Sequence, residues 1–417
     1  MLKIIFIKLI LGCVISSLMT LKSCKIVISI NVSTLRKNSL ELLILLYRIG
    51  DLKLEKRNER KVSDKKKLLK WLLVVILIIV SCGVAYSYYL VKHAETKLEQ
   101  TYKPIENHEE NKVIEATKPM SILLMGVDTG NSERTETWAG NSDSMLVMTI
   151  NPKTKKTTIT SLERDILTEI DYQGETIQAK LNAAYQMGGV DLAIPTIEKM
   201  LNMKFDHYLL INMNGLAKLV DAVGGVDVEN KLGFPITIQD QEPDNQIVIG
   251  TGKQHLNGEE ALVYSRMRYH DPEGDYGRQK RQREVIQAII SKMISFDSLG
   301  NYSEILEAVS TNIQTDIPLN SSNMMNLLGY KSSLNNIEQF QLEGDDATIA
   351  GISYQIAKEE SLLEIQNRIR EEIGEDKVTK LKTNAVINGK TSHNNEDEPK
   401  SVNAEDDDSY FTYKKEN

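Results

Sequence analysis

The chain has 417 residues, 41% of them hydrophobic and 26% charged, a composition that excludes wholesale disorder and collagen-like repeats. Lys and Arg number 50 against 58 Asp and Glu, for a formal charge of -8, which argues against sequence-independent DNA binding as the main function. The three cysteines are Cys13, Cys24 and Cys82, so a disulfide scaffold and a cysteine zinc site are both excluded for residues 83–417.

Residues 71–91 form the first predicted element, a transmembrane helix. These 21 residues carry no charge, and at ~1.5 Å per residue a helix of that length crosses the ~30 Å hydrocarbon layer of a bilayer. Residues 55–70 precede it with eight basic and three acidic side chains. Because basic flanks stay on the cytoplasmic side, we predict a single-pass membrane protein with residues 55–70 as a cytoplasmic arm and everything after Lys92 outside the cell.

Residues 1–54 are harder to assign because their apolar stretches are short. A secretory signal peptide fits poorly, since a much better apolar segment follows. We interpret these residues as an N-terminal extension. Two hypotheses stay open for it: the extension belongs to the mature protein, or translation starts near Leu54 and part or all of the extension is absent.

Residues 92–118 are polar with little apolar periodicity, which predicts a stalk between the membrane and the next domain. In residues 119–375, short apolar runs alternate with helical patterns, and this alternation indicates an α/β domain with helices on both sheet faces. Residues 376–417 lack an apolar pattern and are predicted to form a disordered acidic tail. The predicted strands span 121–128, 144–152, 156–162, 207–213 and 337–342, and the predicted helices span about 182–202, 215–223, 275–294, 302–310, 322–329 and 355–372.

Two aspartates stand at the ends of neighbouring predicted strands. Asp128 ends the first strand and Asp143 comes just before the second, so adjacent strand ends can bring the two carboxylates together. Mg²⁺ and Mn²⁺ prefer such oxygen ligands and often keep water and phosphate in the coordination shell. The pair therefore suits Mg²⁺ or Mn²⁺, and the alternative is that the two residues are turn residues or helix caps.

Arg164 and Asp165 follow the third predicted strand, at the edge where open α/β sheets place ligands. Arginine suits phosphate because its planar fork donates two parallel hydrogen bonds. A surface ion pair is the alternative for these two residues. Further along, Lys180 and Asn182 precede a predicted helix, where a lysine near the N-terminus can hold an anion.

The most informative stretch is YSRMRYHDPEGDYGRQKRQRE, at residues 264–284. Arg266 and Arg268 share a face only in an extended chain, whereas Asp275, Arg278 and Gln282 fall on one face of a helix. Together they can line a pocket for a doubly charged phosphate, and a solvated helix face with ion pairs is the alternative. No GxSxG, Walker A or GxGxxG pattern occurs in the context that it requires, so serine hydrolase and nucleotide-binding functions are excluded.

In their order along the chain, six motifs resemble the LytR-CpsA-Psr family of bacterial envelope proteins, and the resemblance covers residues 119–375 with the membrane helix and its cytoplasmic arm. It implies a three-layer α/β/α domain with a central mixed sheet, and an apolar pocket beside the sheet for a polyprenyl chain. It also implies anchoring in the membrane of a Gram-positive cell. The motifs are GVD (126–128), SDSM (142–145), SLERD (161–165), KLNAAY (180–185), YSRMR (264–268) and DYGRQKRQ (275–282).

The resemblance implies a function as well. Members are phosphotransferases that move an anionic glycopolymer, such as a teichoic acid or a capsular or wall polysaccharide, from a polyprenyl pyrophosphate carrier to peptidoglycan. By this resemblance Asp128 and Asp143 hold Mg²⁺ or Mn²⁺, and Arg164 and Asp165 are expected to act in catalysis. The general base stays open: Asp165 or another carboxylate takes the proton, or the metal lowers the pKa of the acceptor hydroxyl directly. The implied pyrophosphate ligands are Arg164, Lys180, Arg266, Arg268, Arg278 and Gln282.

Two positions depart from the family pattern. Many members have arginine two residues before the second aspartate and proline before the strand-end arginine, whereas this chain has Asn141 and Glu163. Asn141 removes one possible phosphate donor, and whether Arg134 compensates for it stays open. Neither departure touches the two expected metal ligands.

Two other functions stay open. A pyrophosphatase, or a membrane-anchored module that binds the lipid-linked glycan without acting on it, would use the same metal and arginines. A transcriptional regulator, a label that the family once carried, would need the soluble domain to contact DNA. The predicted outside location and the acidic balance both argue against such contact.

Overall fold

The computed structural model describes residues 63–105, 114–128, 138–295 and 302–387. The N-terminal extension 1–54, the first half of the basic arm, Arg134 and the tail from 388 onwards lie outside the described residues. The chain divides into two compact units, Met1–Leu90 and Val91–Asn417.

The described elements follow in chain order, with one 3₁₀ turn at Glu99–Thr101 and another at Leu328–Tyr330. The helices are α1 (Ser63–Leu98), α2 (Ala183–Leu201), α3 (Met213–Ala222), α4 (Gly258–Arg266), α5 (Asp275–Ser295), α6 (Tyr302–Asn312), α7 (Ser321–Leu327) and α8 (Glu359–Ile373). The strands are β1 (Met120–Asp128), β2 (Asn141–Asn151), β3 (Lys156–Leu162), β4 (Leu167–Tyr172), β5 (Glu175–Lys180), β6 (His207–Asn212), β7 (Val226–Asn230), β8 (Gly252–Leu256), β9 (Ile313–Thr315), β10 (Ile337–Gln341), β11 (Gly344–Ile349) and β12 (Ile352–Ala357).

Helix α1 carries the apolar segment of the first unit. Its side chains from Leu72 to Ile79 are exposed, unlike those of a core helix. Within the described residues, Leu72–Thr101 is the one helical span long and apolar enough to cross a membrane. The structure therefore agrees with one apolar helix near the N-terminus. Helix α1, Ser63–Leu98, begins before and ends after the predicted segment 71–91.

Part of the predicted stalk, residues 94–105, belongs to the folded second unit instead. Ala94 and Leu98 lie one turn apart on α1 and are buried against Val309 and Leu319. Two apolar residues at this spacing among charged neighbours are too few to reveal a buried helix face in the sequence. The stalk prediction is therefore wrong for these residues.

A six-stranded mixed sheet forms the centre of the second unit, in the order β10-β3-β2-β1-β6-β9. Strands β1, β2 and β3 form an antiparallel meander, while β6 and β10 join it in parallel on β1 and β3. The short strand β9 completes one edge, antiparallel to β6. The prediction of a mixed α/β domain around a central mixed sheet is confirmed.

Side chains of β1 alternate between two apolar layers, as expected for a strand covered on both faces. Leu123 and Met125 lie in one core cluster with α2 and α8. Ile122 lies in another with residues of α5 and α7. A third cluster joins α3, α4, β7 and β8 to α5. Helix α5 therefore connects the sheet to the segment that carries Arg266 and Arg268.

The antiparallel pair β7–β8 and two β-hairpins, β4–β5 and β11–β12, lie outside the sequence predictions. The last one corrects the predicted helix 355–372, because β12 extends to Ala357 and α8 begins only at Glu359. Ala350 and Gly351 connect β11 to β12, and both have positive φ, 52° and 84°. A two-residue turn with both residues in this region matches the right-handed twist of a hairpin. Alanine seldom adopts it, so the sequence does not signal the turn.

The folded domain continues beyond the predicted boundary at 375. The N–H of Glu169 donates to the carbonyl of Asn384 at 2.9 Å, and the N–H of Val386 donates to that of Leu167 at 3.0 Å. Ala385 and Val386 are buried. The predicted tail therefore begins too early, because this short apolar run follows a polar stretch that conceals it.

Candidate active site

The two aspartates of the predicted metal site lie at one end of the β1–β2 pair. Gly126 pairs with Ser144 and Val127 pairs with Ser142, so the bulge leaves Asp143 without an opposite residue on β1. Such an extra residue bends the strand and turns its side chain out of the regular alternation. Asp128 ends β1 at the same edge, which brings both residues to the lining of one cavity.

Arg164 reaches this edge because of strand register. Met145 pairs with Leu162 in the antiparallel β2–β3 ladder. Arg164, two residues after Leu162, therefore comes opposite Asp143, two residues before Met145. Its Nη1 lies 2.7 Å from the Asp143 Oδ1. Burial disfavours the charged guanidinium, but Asp143, Asp275 and Asp165 outweigh it and raise the pKa of Arg164. Arg164 therefore stays a cation.

The first turns of α5 supply the next residues. Arg278 is buried, and its Nη2 lies 2.8 Å from the Asp275 Oδ1 and donates to the main-chain carbonyl of Asp143 at 3.3 Å. The Arg268 Nε lies 3.5 Å from the same Asp275 oxygen. Asp275 thus holds two arginines, one from its own helix and one from the segment before it.

A polar cavity of about 120 Å³ opens between these elements. It contains every predicted site residue except Asp165 and Lys180. Four arginines outnumber two aspartates in the lining, so the cavity suits an anion with more than one negative charge. The lining consists of Asp128, Asp143, Arg164, Met213, Gln241, Arg266, Arg268, Tyr269, Arg278 and Gln282.

Asp165 and Lys180 form an ion pair beside the cavity. The Lys180 Nζ lies 3.0 Å from the Asp165 Oδ1, and the Arg164 Nε lies 3.7 Å from the Asp165 Oδ2. Both carboxylate oxygens of Asp165 therefore face cations. The expected catalytic role of Asp165 and the expected pyrophosphate contact of Lys180 stay predictions.

Several buried polar atoms near the cavity lack a hydrogen-bond partner within the described part of the chain. They include Ser142 Oγ, Glu163 Oε1, Arg164 Nε and Arg278 Nε. Buried polar atoms are seldom left in this state. The two arginine nitrogens belong to side chains that line the cavity, which is consistent with a site that awaits a polar ligand.

The aspartates fit a metal ion that binds together with a phosphate. No group of three or more His, Cys, Asp or Glu side chains is placed to hold a metal among the residues with described positions. Mg²⁺ in phosphate-processing sites commonly takes one or two carboxylates and completes its shell with water and phosphate oxygens. Asp128 and Asp143 match that donor set. The assignment of Mg²⁺ or Mn²⁺ to them stays a prediction.

Two carboxyl groups lie behind the cavity, those of the buried Glu163 and the partly buried Asp275. Glu163 is 1% exposed, and its burial, together with the nearby Asp275, raises its pKa to about 9. Burial also opposes ionisation of Asp275, but Arg278 outweighs it and holds the pKa of Asp275 below its usual value. At neutral pH, Glu163 is therefore a neutral acid and Asp275 an anion.

The sequence did not identify three residues of the lining, Met213, Gln241 and Tyr269. Met213 follows directly on β6, which is parallel to β1, so the rule that ligands bind at strand ends would have found it. Tyr269 is 69% exposed and adjoins Arg268 in the informative stretch. Gln241 belongs to the long segment between β7 and β8, where no pattern points to it.

The sequence model of the LytR_cpsA_psr family matches residues 86–371, which include every residue of the cavity. The chain belongs to this family. Biofilm regulatory protein A of Streptococcus mutans is 50% identical over 329 residues, which are 77% of this chain and 81% of that relative.

Another relative in the LytR_cpsA_psr family is the polyisoprenyl-teichoic acid–peptidoglycan teichoic acid transferase TagU of Enterococcus faecalis. It is 40% identical over 317 residues, 75% of this chain and 99% of that protein. The crystal structure of protein gbs0355 from Streptococcus agalactiae is similar at a TM-score of 0.64 and 51% identity, and covers 67% of this chain and 96% of its own.

Proposed function

We propose that this protein is a membrane-anchored phosphotransferase with a three-layer α/β/α catalytic domain outside the cell. It moves an anionic glycopolymer, a teichoic acid or a capsular or wall polysaccharide, from a polyprenyl pyrophosphate carrier to a hydroxyl group of peptidoglycan. The observation that carries this proposal is the single cavity that joins four arginines to two strand-end aspartates. The name of the Enterococcus faecalis relative, a teichoic acid transferase, supports it.

The proposed reaction exchanges one phosphorus–oxygen bond for another. The acceptor hydroxyl oxygen attacks the phosphorus that carries the glycan, and a new phosphodiester bond forms. The bond from this phosphorus to the bridging oxygen breaks, and polyprenyl phosphate leaves with that oxygen. The hydroxyl proton passes to a base or to solvent. Negative charge spreads over the transferred phosphoryl oxygens, so the protein contributes mainly by positioning and by fixed positive charge.

Arg164 and Arg278 are placed to supply that charge. Both are buried or nearly so, and each is oriented by a carboxylate at 2.7–2.8 Å. Since the surrounding protein holds them, they need little reorganisation when the substrate binds. Arg266 and Arg268 line the same cavity and are placed to contact the second phosphate. Asp165 orients Lys180 and Arg164 at one side.

Asp128 and Asp143 would hold Mg²⁺ or Mn²⁺. When bound, the ion would neutralise phosphate charge and polarise the phosphoryl group. The carboxylates also serve the arginines, since Asp143 pairs with Arg164 and the Asp128 Oδ2 lies 3.7 Å from the Arg266 Nη2. This shared use reduces the excess positive charge of the cavity before the substrate binds.

Helix α1 and the basic arm that precedes it support a membrane location. The apolar side chains from Leu72 to Ile79 are exposed, as a lipid-facing helix requires. Basic residues on its N-terminal side favour a cytoplasmic N-terminus. The catalytic domain would then face the side on which peptidoglycan is assembled, in the envelope of a Gram-positive cell.

The test uses the full chain in detergent micelles with Mg²⁺, a polyprenyl-pyrophosphate glycan and peptidoglycan oligomers. We expect glycan linked to peptidoglycan and an equal amount of polyprenyl phosphate. No linked product from folded protein, across several glycans, would contradict the proposal. Release of polyprenyl phosphate at the same rate with and without peptidoglycan would indicate a pyrophosphatase instead.

Topology provides a separate test of the regulator hypothesis. A reporter that is active only in the cytoplasm, fused after the last packed residues near Ile387, should be silent. An active reporter would place the domain with DNA, and would contradict the enzymatic proposal.

A further inference from the structure

A chain of buried polar side chains runs from β3 to the arginines of the cavity. Gln279 donates a hydrogen bond from its Nε2 to the Glu163 carboxyl group, and the same nitrogen donates to the Asp275 Oδ2 at 3.1 Å. The Glu163 and Asp275 carboxyl groups are therefore neighbours that accept from the same amide nitrogen. Asp275 in turn holds Arg278 at 2.8 Å and Arg268 at 3.5 Å.

The far end of this chain is anchored in the sheet. Gln341 on β10 donates to the Gln279 Oε1 at 3.1 Å and accepts a hydrogen bond from the Arg283 Nη2 at 3.2 Å. Arg283 also donates to the Ser161 hydroxyl on β3. Gln279 is therefore held by Gln341 on one side and by the two carboxyl groups on the other, and it cannot move freely with Glu163. A change in the charge or position of the Glu163 carboxyl group therefore acts on Asp275.

We propose that Glu163 is a positioning residue for the cavity: its carboxyl group, held by Gln279 beside Asp275, keeps Arg278 and Arg268 paired with Asp275 as the one anionic carboxylate and so tunes the affinity for pyrophosphate. This inference rests on the proposed function. Glu163 does not line the cavity, so it acts through its neighbours and not on the substrate.

The physical reason is the charge balance behind the arginines. Glu163 faces Asp275, Tyr276, Arg278 and Gln279 of α5, and Arg164 and Asp165 on its own segment. Two adjacent buried carboxyl groups do not both ionise readily, and one proton stays on the pair. With Glu163 neutral, Asp275 alone neutralises the arginines and leaves positive charge for the substrate.

Ionisation of Glu163 would add a second negative charge behind Arg278. Its pKa is raised to about 9 by burial and by Asp275, so this happens on the alkaline side of neutrality. Pyrophosphate affinity should therefore be high below the pKa of Glu163 and fall as Glu163 loses its proton. Stability has the same sign, since an acid protonated in the folded chain but ionised in the unfolded chain loses stability as pH rises between the two pKa values.

Glu163→Gln tests this inference, because its amide keeps the shape of the neutral acid and never ionises. The full chain in detergent micelles is titrated by calorimetry with a short-chain prenyl pyrophosphate, which requires no catalysis. The last ionisation of a phosphate monoester lies at about pH 6, and we expect the terminal phosphate of this probe to behave in the same way. The charge of the probe then stays nearly constant from about pH 7.5 to about pH 9.5.

We expect wild-type affinity to fall about 10-fold across this range. Glu163→Gln should retain the neutral-pH affinity and lose most of that fall. Glu163→Ala removes the contact to Asp275 and should weaken binding already at neutral pH. The matched control is Glu198→Gln. Glu198 is a buried glutamate of α2 that accepts from the N–H of Phe205 at 3.0 Å and does not line the cavity. This variant should keep the wild-type pH profile.

The outcomes separate this inference from the proposed function. If wild-type protein binds the probe and Glu163→Gln shows the same alkaline loss of affinity, Glu163 is not a positioning residue. Neutral-pH affinity equal to wild type in a folded Glu163→Ala would also overturn the inference. If the wild-type chain does not bind the prenyl pyrophosphate at any pH, the proposed function fails and this inference fails with it.

Discussion

Arg278 and Arg281 lie one turn apart on α5, and both are buried, yet their surroundings differ. The Arg281 Nε donates to the carbonyl of Tyr264 at 2.9 Å, and its other nitrogens contact Asp271 and the carbonyl of Met267. Arg278 has one anionic partner, and its Nε has no hydrogen-bond partner among the described residues. Burial alone does not identify a ligand-binding arginine; spare donors beside a cavity do.

The surroundings of Arg281 also explain how the site is held. Asp271 lies against Gly277, where a Cβ would come within 2.0 Å of its Oδ2. Only glycine allows the segment before α5 to fold back so closely. The Arg281–Asp271 pair therefore fixes Met267 and its neighbours on the helix, and Arg268 and Arg278 reach the same carboxylate.

The largest effect is expected for Arg281→Ala. It leaves Asp271 as a buried charge without its partner, which costs about 3–5 kcal/mol of unfolding free energy. Chemical unfolding of the full chain in detergent measures this. Lys280→Ala is the control, because Lys280 is 54% exposed and its loss should change stability by about 0.5 kcal/mol or less. Equal effects for the two variants would contradict a structural role of Arg281.

Asp143→Ala should remove Mg²⁺-stimulated turnover, by about 10³-fold, since a metal ion supplies several kcal/mol of transition-state stabilisation. The arginines remain, so affinity for a prenyl pyrophosphate should persist. Turnover assayed with and without a chelator, together with calorimetric binding, checks both parts. A variant that still responds to Mg²⁺ would show that Asp143 is not a ligand.

Arg278→Ala should lower kcat/KM by about 10²–10³, as the loss of a fixed donor to a developing anion does. Here binding of the prenyl pyrophosphate should weaken as well, while the response to Mg²⁺ persists. Stability should fall less than in Arg281→Ala, because Asp275 keeps Gln279 at 3.1 Å and Arg268 at 3.5 Å. If Arg278→Ala had wild-type kinetics, Arg278 would not be a ligand-binding arginine, and its difference from Arg281 would have no functional meaning.

Gln282→Ala should give the smallest change, a loss of about 10-fold or less in kcat/KM, since an uncharged amide contributes a modest hydrogen bond. Gln282 lines the cavity one turn beyond Arg278. Steady-state kinetics on the pair of variants ranks them. A loss larger than that of Arg278→Ala would mean that charge is not what the cavity supplies.

Local patterns in the sequence predicted most of this site. Strand ends placed Asp128 and Asp143 together, and helical spacing placed Arg278 and Gln282 on one face; both residue pairs line the cavity. Arg266 and Arg268 also reach it, because α4 ends at Arg266 and Met267 is extended. Each inference needed only a few neighbouring residues and one periodicity.

The network behind the cavity could not be predicted in this way. Glu163 and Gln279 are 116 residues apart in the chain, and nothing in either motif indicates the contact. Glu163 stood out only as a departure from the family pattern, with no role attached. The hairpin β11–β12 could not be predicted either, because its two-residue turn contains an alanine at positive φ, which a sequence pattern does not indicate. Such features depend on tertiary packing that overrides local preference.

The bulge at Asp143 makes segment length, more than residue identity, the constrained property of this part of the chain. Deleting one residue between Gly140 and Ser144 would have one of two effects. It would remove the bulge, and with it the outward position of Asp143, or it would shift the pairing of β2 with β1 by one residue. A one-residue slip of the pairing would turn Met145 and Val147 away from the core cluster that they occupy, because strand side chains alternate with a period of two. Substitutions such as asparagine at 141 leave the register intact. Homologous chains should therefore vary in sequence here while keeping the same number of residues.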